Sequence, residues 1–195
     1  MNQESQTIKA ATTSGPVIDL LRNRWSARSF TDRAISTADI DTIIEAGTWA
    51  FSAFNEQPWR FIIAHRDSAL FQQLWGLLAP GNQAWCDKAA VLVLTLIETH
   101  TASGKPNTWA QHDLGAANFA LTLQANSMGI YTHVMAGYDK ARAVTELELP
   151  ESVDSVAMIA LGYLDSPEKL EEPFKTREVT PRTRKSVGEV VMRRG

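Results

Sequence analysis

The chain has 195 residues, 44% hydrophobic and 21% charged, which is enough apolar material for one globular domain with a sizeable core. Its formal net charge of −3 gives no overall basic field for a nucleic acid, and its longest apolar stretch, 89–97, is far too short to cross a bilayer. The single cysteine, Cys86, rules out an intramolecular disulfide, and residues 1–15 are polar with no signal-peptide core, so the expectation is a soluble cytoplasmic protein with no membrane or nucleic-acid partner.

In chain order, residues 1–15 read as a flexible N-terminal leader, ahead of a single domain over 16–195. Pro16 suits a first helical turn, with Val17, Ile18, Leu20 and Leu21 as its apolar side. Ser36-Thr37-Ala38-Asp39 is a capping start, and Ile40, Ile43, Ile44 and Gly47 follow at helical spacing. Residues 60–65 are a short β-like run. Residues 67–78 return to helical spacing through Leu70, Leu74, Leu77 and Leu78, and Pro80-Gly81-Asn82 breaks the pattern. Cys86 follows Trp85 and reads as buried packing.

Residues 91–97 are the clearest strand, apolar on both faces and therefore expected in the middle of a covered sheet. Residues 109–128 are the clearest helix, striped by Leu114, Ala117, Leu121, Ala125 and Met128 and ended by Gly129. Residues 130–137 have no clear type. Residues 139–147 read as a helix stopped before Pro150, and 156–163 as a second buried strand. After Asp165 the chain has Pro167, Pro173 and Pro181 and little periodicity, so it is expected to be disordered or to lie on another surface, such as a second subunit. The sum is a mixed α/β sandwich with helices on a small sheet.

Three segments carry the chemistry. Arg24, Ser26 and Arg28 alternate, so in extended backbone they face one way and suit a phosphate. Asn55 and Gln57 alternate too; their amides can donate and accept at a heterocycle edge, with Pro58 and Trp59 anchoring the loop. Arg182 and Arg184 repeat the alternation in a tail with seven basic residues from Lys175 to Arg194 against Glu178 and Glu189. Glu98, His100, His112 and Asp113 are metal-ligand types but lack ligand spacing, so no metal is expected. Gly104-Lys105 runs into Pro106 and is no phosphate loop, nor does a G-x-G-x-x-G follow any strand. The basic tail and six tryptophans leave a non-catalytic anion- or nucleic-acid-binding module as the alternative.

Taken in order, these segments resemble the FMN-dependent nitroreductase family. Arg24-x-Ser26-x-Arg28 with Phe30 is similar to its phosphate motif. Ser52-Ala53-Phe54-Asn55-Glu56-Gln57-Pro58-Trp59 resembles its Pro-Ser-x-x-Asn-x-Gln-Pro-Trp segment, and residues 113–120 its central dimer helix. Residues 133–137 fall where the family runs backbone along the flavin, and Thr180-Pro181-Arg182-Thr183-Arg184-Lys185 is similar to its C-terminal phosphate clamp. The resemblance implies an α+β fold whose mostly antiparallel sheet is covered by helices, with a C-terminal extension (166–195) wrapping the partner of a homodimer that binds FMN at its interface. It also implies a cofactor shell of Arg24, Trp25, Ser26, Arg28, Phe51, Ser52, Asn55, Gln57, His133, Val134, Met135, Ala136, Gly137, Arg182 and Arg184. The implied activity is ping-pong, two-electron transfer from transient NADH or NADPH through flavin N5 to nitroaromatic, quinone or related small electrophiles. No side chain is assigned as catalytic; Arg28 is the candidate for tuning the flavin. Phe51 stands where the family has proline, and Ala136 where some members carry glutamate.

Overall fold

The computed structural model describes residues 3–195. Its elements in chain order are α1 (Gln3–Lys9), α2 (Asp19–Asn23), α3 (Thr37–Thr48), β1 (Trp59–His65), α4 (Ala69–Leu77), α5 (Pro80–Cys86), β2 (Val91–Glu98), α6 (Ala110–Ser127), β3 (Tyr131–Met135), α7 (Lys140–Glu146), β4 (Val153–Gly162), α8 (Phe174–Glu178) and α9 (Val187–Val190). The four strands form one antiparallel sheet in the order β1-β2-β4-β3.

The apolar run of β2, interrupted only by the buried Thr95 before Glu98, makes sense in that sheet, because both its edges are paired and both its faces covered. Leu92, Leu94 and Leu96 pack with Met158 and Ala160 of β4 against Leu74, Leu77 and Trp85 on the α4–α5 side. Val91 and Val93 pack with Ile159 and Leu161 against Ile40, Ile43, Leu121 and Ala125 on the α3–α6 side. The result is the expected sandwich, helix–sheet–helix, with two core layers back to back.

Local signals account for several helix starts. The Ser36 hydroxyl accepts from the Asp39 N–H at 3.1 Å, Ser68 from Phe71 at 3.1 Å, and the Asp139 carboxylate from Arg142 at 3.0 Å. α3 meets α6 at Gly47, where an added Cβ would stand 3.3 Å from the Ala117 carbonyl oxygen.

Four segments differ from the sequence reading. α4 ends at Leu77, before Pro80-Gly81-Asn82, as the sequence implies, but Pro80 also opens α5, with proline in the first turn where its missing N–H costs nothing. The untyped stretch 130–137 contains an edge strand, β3. Within the expected leader, residues 3–9 form a helix that buries Ser5 and Lys9; Met1 and Asn2 lie outside the described residues. The helix expected from Pro16 is only α2, and Val17 and Ile18 are exposed. The tail is held on the chain's own α1–α2 surface as far as Arg182: Lys9 Nζ donates to the carbonyls of Arg177 and Thr180, both at 2.6 Å. Beyond Arg182 every residue is exposed, including Val187, Val190 and Met192. No described helix is long and apolar enough to cross a membrane.

Candidate functional site

Asn23 ends α2, and Arg24 leaves it in extended backbone at φ −72°, ψ 129°. From there the chain alternates. Trp25 and Ala27 are buried, while Arg24, Ser26 and Arg28 take the other side. Trp25 anchors the segment by stacking on Tyr131 at 4.5 Å between ring centroids, and Ser26 pairs in parallel with Thr132. The segment therefore runs beside the outer edge of β3, next to Thr132 and His133.

Arg24 faces a cavity of about 620 Å³ together with Arg182, Arg184 and Lys185, with Thr12, Thr13 and Ser14 on one wall and Val17, Leu21 and Phe119 on another. Among the described residues no carboxylate lines it. Burial, and then the Arg184 guanidinium, hold the Arg24 pKa below the usual arginine range; burial, then Arg24 and Arg184, do the same to Arg182. Like charges gathered without a counter-carboxylate disfavour one another. An anion in the cavity would relieve that repulsion.

The cations are not equivalent. Arg182 spends its fork on the backbone, donating from Nε to the Lys9 carbonyl at 2.6 Å, from Nη1 to that of Arg24 and from Nη2 to that of Arg22. It latches the tail to α1 and to the end of α2. Arg184 is exposed and donates from Nη1 to its neighbour Thr183 at 2.7 Å. Arg28 stands apart from the Arg24 cavity. Its backbone N–H donates to Glu178 Oε1 at 3.1 Å, its Nη1 is 4.0 Å from Glu178 Oε2, and its guanidinium lies 5.8 Å from the Trp85 ring centroid. Sequence reasoning counted Glu178 only as one acid in a basic tail, and that acid was the available signal for a buried partner.

In β3 and the two residues after it, Val134, Ala136 and Gly137 are exposed, whereas His133 and Met135 are buried. His133 stacks on Trp85 at 4.6 Å, and its Nδ1 lies 3.0 Å from the Ala27 carbonyl, so Nδ1 carries the proton. Burial, and then the Arg28 charge, push its pKa down to about 4, leaving the ring neutral at pH 7. Trp25, His133 and Met135 can thus offer a ligand backbone atoms but no side chain. The Gly137 carbonyl accepts from the Ala79 N–H at 2.9 Å and the Asn82 amide at 3.0 Å, which ties this strand end to α5.

The Asn55–Gln57 loop is strained and well held. Phe54, Asn55 and Gln57 have φ of 53°, 57° and 47°, a region that non-glycine residues rarely occupy. The Ser52 hydroxyl accepts from the Gln57 N–H at 3.1 Å. Asp113, 1% exposed in the first turn of α6, accepts from the Ala53 N–H at 3.0 Å and from His112 Nδ1 at 3.1 Å. Asp113 entered the sequence reading as a helix residue and a metal-ligand type; its role as the loop's anchor is visible only in the fold. Phe51, 69% exposed, contacts the His112 ring at 5.7 Å. This loop leads into β1, at the opposite edge of the sheet from β3. One chain therefore does not bring Asn55 and Gln57 to Arg24, Ser26 and the β3 edge. Among the described residues no three of His, Cys, Asp and Glu gather as a metal site. Burial pushes the Cys86 thiol up, leaving it inert packing.

The Nitroreductase family model matches residues 21–82. A protein of Archaeoglobus fulgidus named as an NADH dehydrogenase/NAD(P)H nitroreductase is 30% identical over 150 residues, 75% of this chain and 84% of that protein. Among solved structures, an oxidoreductase containing FMN is similar at a TM-score of 0.88 and 36% identity, covering 92% of each chain. A nitroreductase from Desulfovibrio desulfuricans in complex with FMN shares the fold at a TM-score of 0.76 and 24% identity, covering 94% of this chain and 99% of that one.

Proposed function

The chain belongs to the nitroreductase family, and from that premise we propose that it is an FMN-dependent NAD(P)H oxidoreductase working as a homodimer. The observation that carries the reading is the cavity of Arg24, Arg182, Arg184 and Lys185, four cations with no lining carboxylate among the described residues, beside the exposed edge of β3. That donor set suits a phosphate, and the flanking Thr12, Thr13 and Ser14 suit the hydroxyls of a ribityl chain. Bound FMN would supply two-electron hydride chemistry between a nicotinamide and a small electrophilic acceptor, nitroaromatic or quinone in class.

The chain's own residues bind and orient. Arg24, Arg184 and Lys185 hold the phosphate, while Arg182 latches the tail that carries Arg184 and Lys185. Ser26 adds a hydroxyl, and the exposed Val134, Ala136 and Gly137 leave room for a flat ring along β3. The Asn55 and Gln57 amides face the ring edge from the second subunit. Support for that division is topological: β1 and β3 are separated by three strand spacings, about 14 Å. A two-fold pair of chains also gives the exposed Val17, Ile18, Leu20, Phe119, Val187, Val190 and Met192 something to cover. The cytoplasm suits a chain whose single cysteine is buried and free.

The test is the visible spectrum of purified protein before and after anaerobic NADH or NADPH. A flavin band that bleaches with one nicotinamide supports the reading and identifies the donor. A colourless protein that also fails to take up added FMN would overturn it.

A further inference from the structure

The segment that reads as a loose leader is tied into the tail through one residue. Lys9 closes α1 and is 7% exposed. An ammonium group taken out of water in this way needs acceptors. It has two, the carbonyls of Arg177 and Thr180, each at 2.6 Å from Nζ. Burial lowers the Lys9 pKa, the Glu178 carboxylate pulls it back up, and the Arg28 and Arg182 guanidiniums lower it further. Lys9 therefore stands among the groups on which both arginine motifs depend: Glu178, which holds Arg28, and Arg182, which latches the tail.

The backbone of the same residue adds a second hold, because the Lys9 carbonyl accepts from Arg182 Nε at 2.6 Å. The tail is thus gripped at Thr180 by the ammonium and at Arg182 by the carbonyl, with Pro181 stiffening the link between them. Arg184 and Lys185 follow two and three residues later and line the Arg24 cavity. At about 3.3 Å per residue they swing from a point roughly 7–10 Å away, so the anchor decides where they point. Arg184 donates to its own neighbour Thr183, a bond that does not fix the course of the chain. Lys9 does not itself line the cavity. Its helix is seated in turn: the Gln6 amide donates to the Tyr131 hydroxyl at 3.2 Å, and the Ala11 N–H to the Arg22 carbonyl at 2.8 Å.

We propose that Lys9 is a positioning residue of the phosphate site: without touching the anion, its ammonium fixes the tail at Arg177 and Thr180 so that Arg184 and Lys185 face the cavity. The inference rests on the FMN reading above and adds to that site a residue from the N-terminal helix. Order in α1 and occupancy of the phosphate site then favour each other, since each holds the tail in the same place.

The test uses Lys9→Met in the full chain, which keeps the aliphatic stem and removes the donor. FMN and riboflavin are titrated separately into the flavin-free protein and followed by flavin fluorescence. Trypsin cleavage after Arg177, whose carbonyl Lys9 holds, is timed by mass spectrometry without flavin. Lys9→Met should weaken FMN by about fivefold and leave riboflavin unchanged, because riboflavin lacks the phosphate. Cleavage after Arg177 should quicken. Lys9→Gln keeps an N–H donor and should weaken FMN by about twofold; it carries the same test if Lys9→Met does not fold. Unchanged FMN affinity, an equal loss for both flavins, or unchanged cleavage after Arg177 would each overturn the proposal. Wild type that takes up FMN, with a variant that matches it in both readouts, overturns this inference alone; wild type that takes up no flavin removes the oxidoreductase reading with it.

Discussion

The Glu178 carboxylate, 1% exposed, accepts the Arg28 backbone N–H at 3.1 Å and lies 4.0 Å from the same residue's guanidinium. One side chain of the tail thus holds both the backbone and the charge of the N-terminal arginine motif. Its Oε2 has no hydrogen-bond partner, so the guanidinium is its compensation. Removing the carboxylate leaves a partly buried cation and an unpaired N–H. Glu178→Ala should therefore lower the stability of the flavin-free protein by about 2–3 kcal/mol in urea unfolding. Glu178→Gln, which can still accept the N–H, should lose less. Equal stability in all three proteins would show that the pair is incidental.

Arg182 and Arg184 should separate cleanly. Arg184→Ala removes a cation from the cavity but no contact that holds the tail, so FMN should bind at least tenfold more weakly while tryptic cleavage of the tail is unchanged. Arg182→Ala removes three bonds to the carbonyls of Lys9, Arg22 and Arg24, so FMN affinity and tail protection should both fall. Arg24→Ala should resemble Arg184→Ala, and the salt dependence of FMN binding should become shallower in both. Fluorescence recovery of released FMN and a trypsin time course read the two effects.

His133 makes stability depend on pH. Its folded pKa of about 4 lies below the unfolded value of 6.5, so between those values the unfolded chain binds more protons. Stability should be fully present above pH 6.5 and decline as pH falls toward 4, by on the order of 3 kcal/mol over the window. Urea midpoints at pH 7, 6, 5 and 4.5 measure it. His133→Gln should flatten that slope; a slope identical to wild type would exclude His133 as its source.

Gly162 ends β4 with the Phe30 ring directly against it. A Cβ there would stand 2.6 Å from Phe30 Cγ and Cδ1 and 2.9 Å from its Cβ. Phe30 is 3% exposed, so its ring has little space to yield. Gly162→Ala should cost about 1–3 kcal/mol by overpacking, measurable as a lowered melting temperature. Phe30→Leu in the same background should restore part of it.

The residues most legible in the sequence were those whose signal is local. The apolar run of β2, broken only by Thr95, implied a strand covered on both faces. Ser36 and Ser68 cap helices with their own hydroxyls, and the stripe of α6 needs only a period near 3.6. The alternation of Arg24, Ser26 and Arg28 was legible for the same reason, because extended backbone sends alternate side chains to one side whatever the fold. β3 was not legible: five residues on a sheet edge mix buried and exposed positions without a clean period. Pro80 was half legible: it marks the end of α4, but that it also begins α5 shows only in the fold, since proline suits a first helical turn as well as a break.

What the sequence determined by itself is therefore the inventory: an α+β chain with two buried strands, three polar or cationic motifs in a fixed order, and no local pattern for a metal site. The tertiary structure decided how those groups are used. It set Arg182 on backbone carbonyls, paired Arg28 with Glu178 across 150 residues, turned His133 and Met135 inward and left Phe54 exposed on a strained loop. It also placed the Asn55–Gln57 loop at the sheet edge opposite the arginine motif. The physical reason is common to all of these. Propensity and periodicity act over a few residues, whereas the partner of a charge, the face of an edge strand and the distance between two loops depend on contacts between segments far apart in the chain, which form only when the core closes.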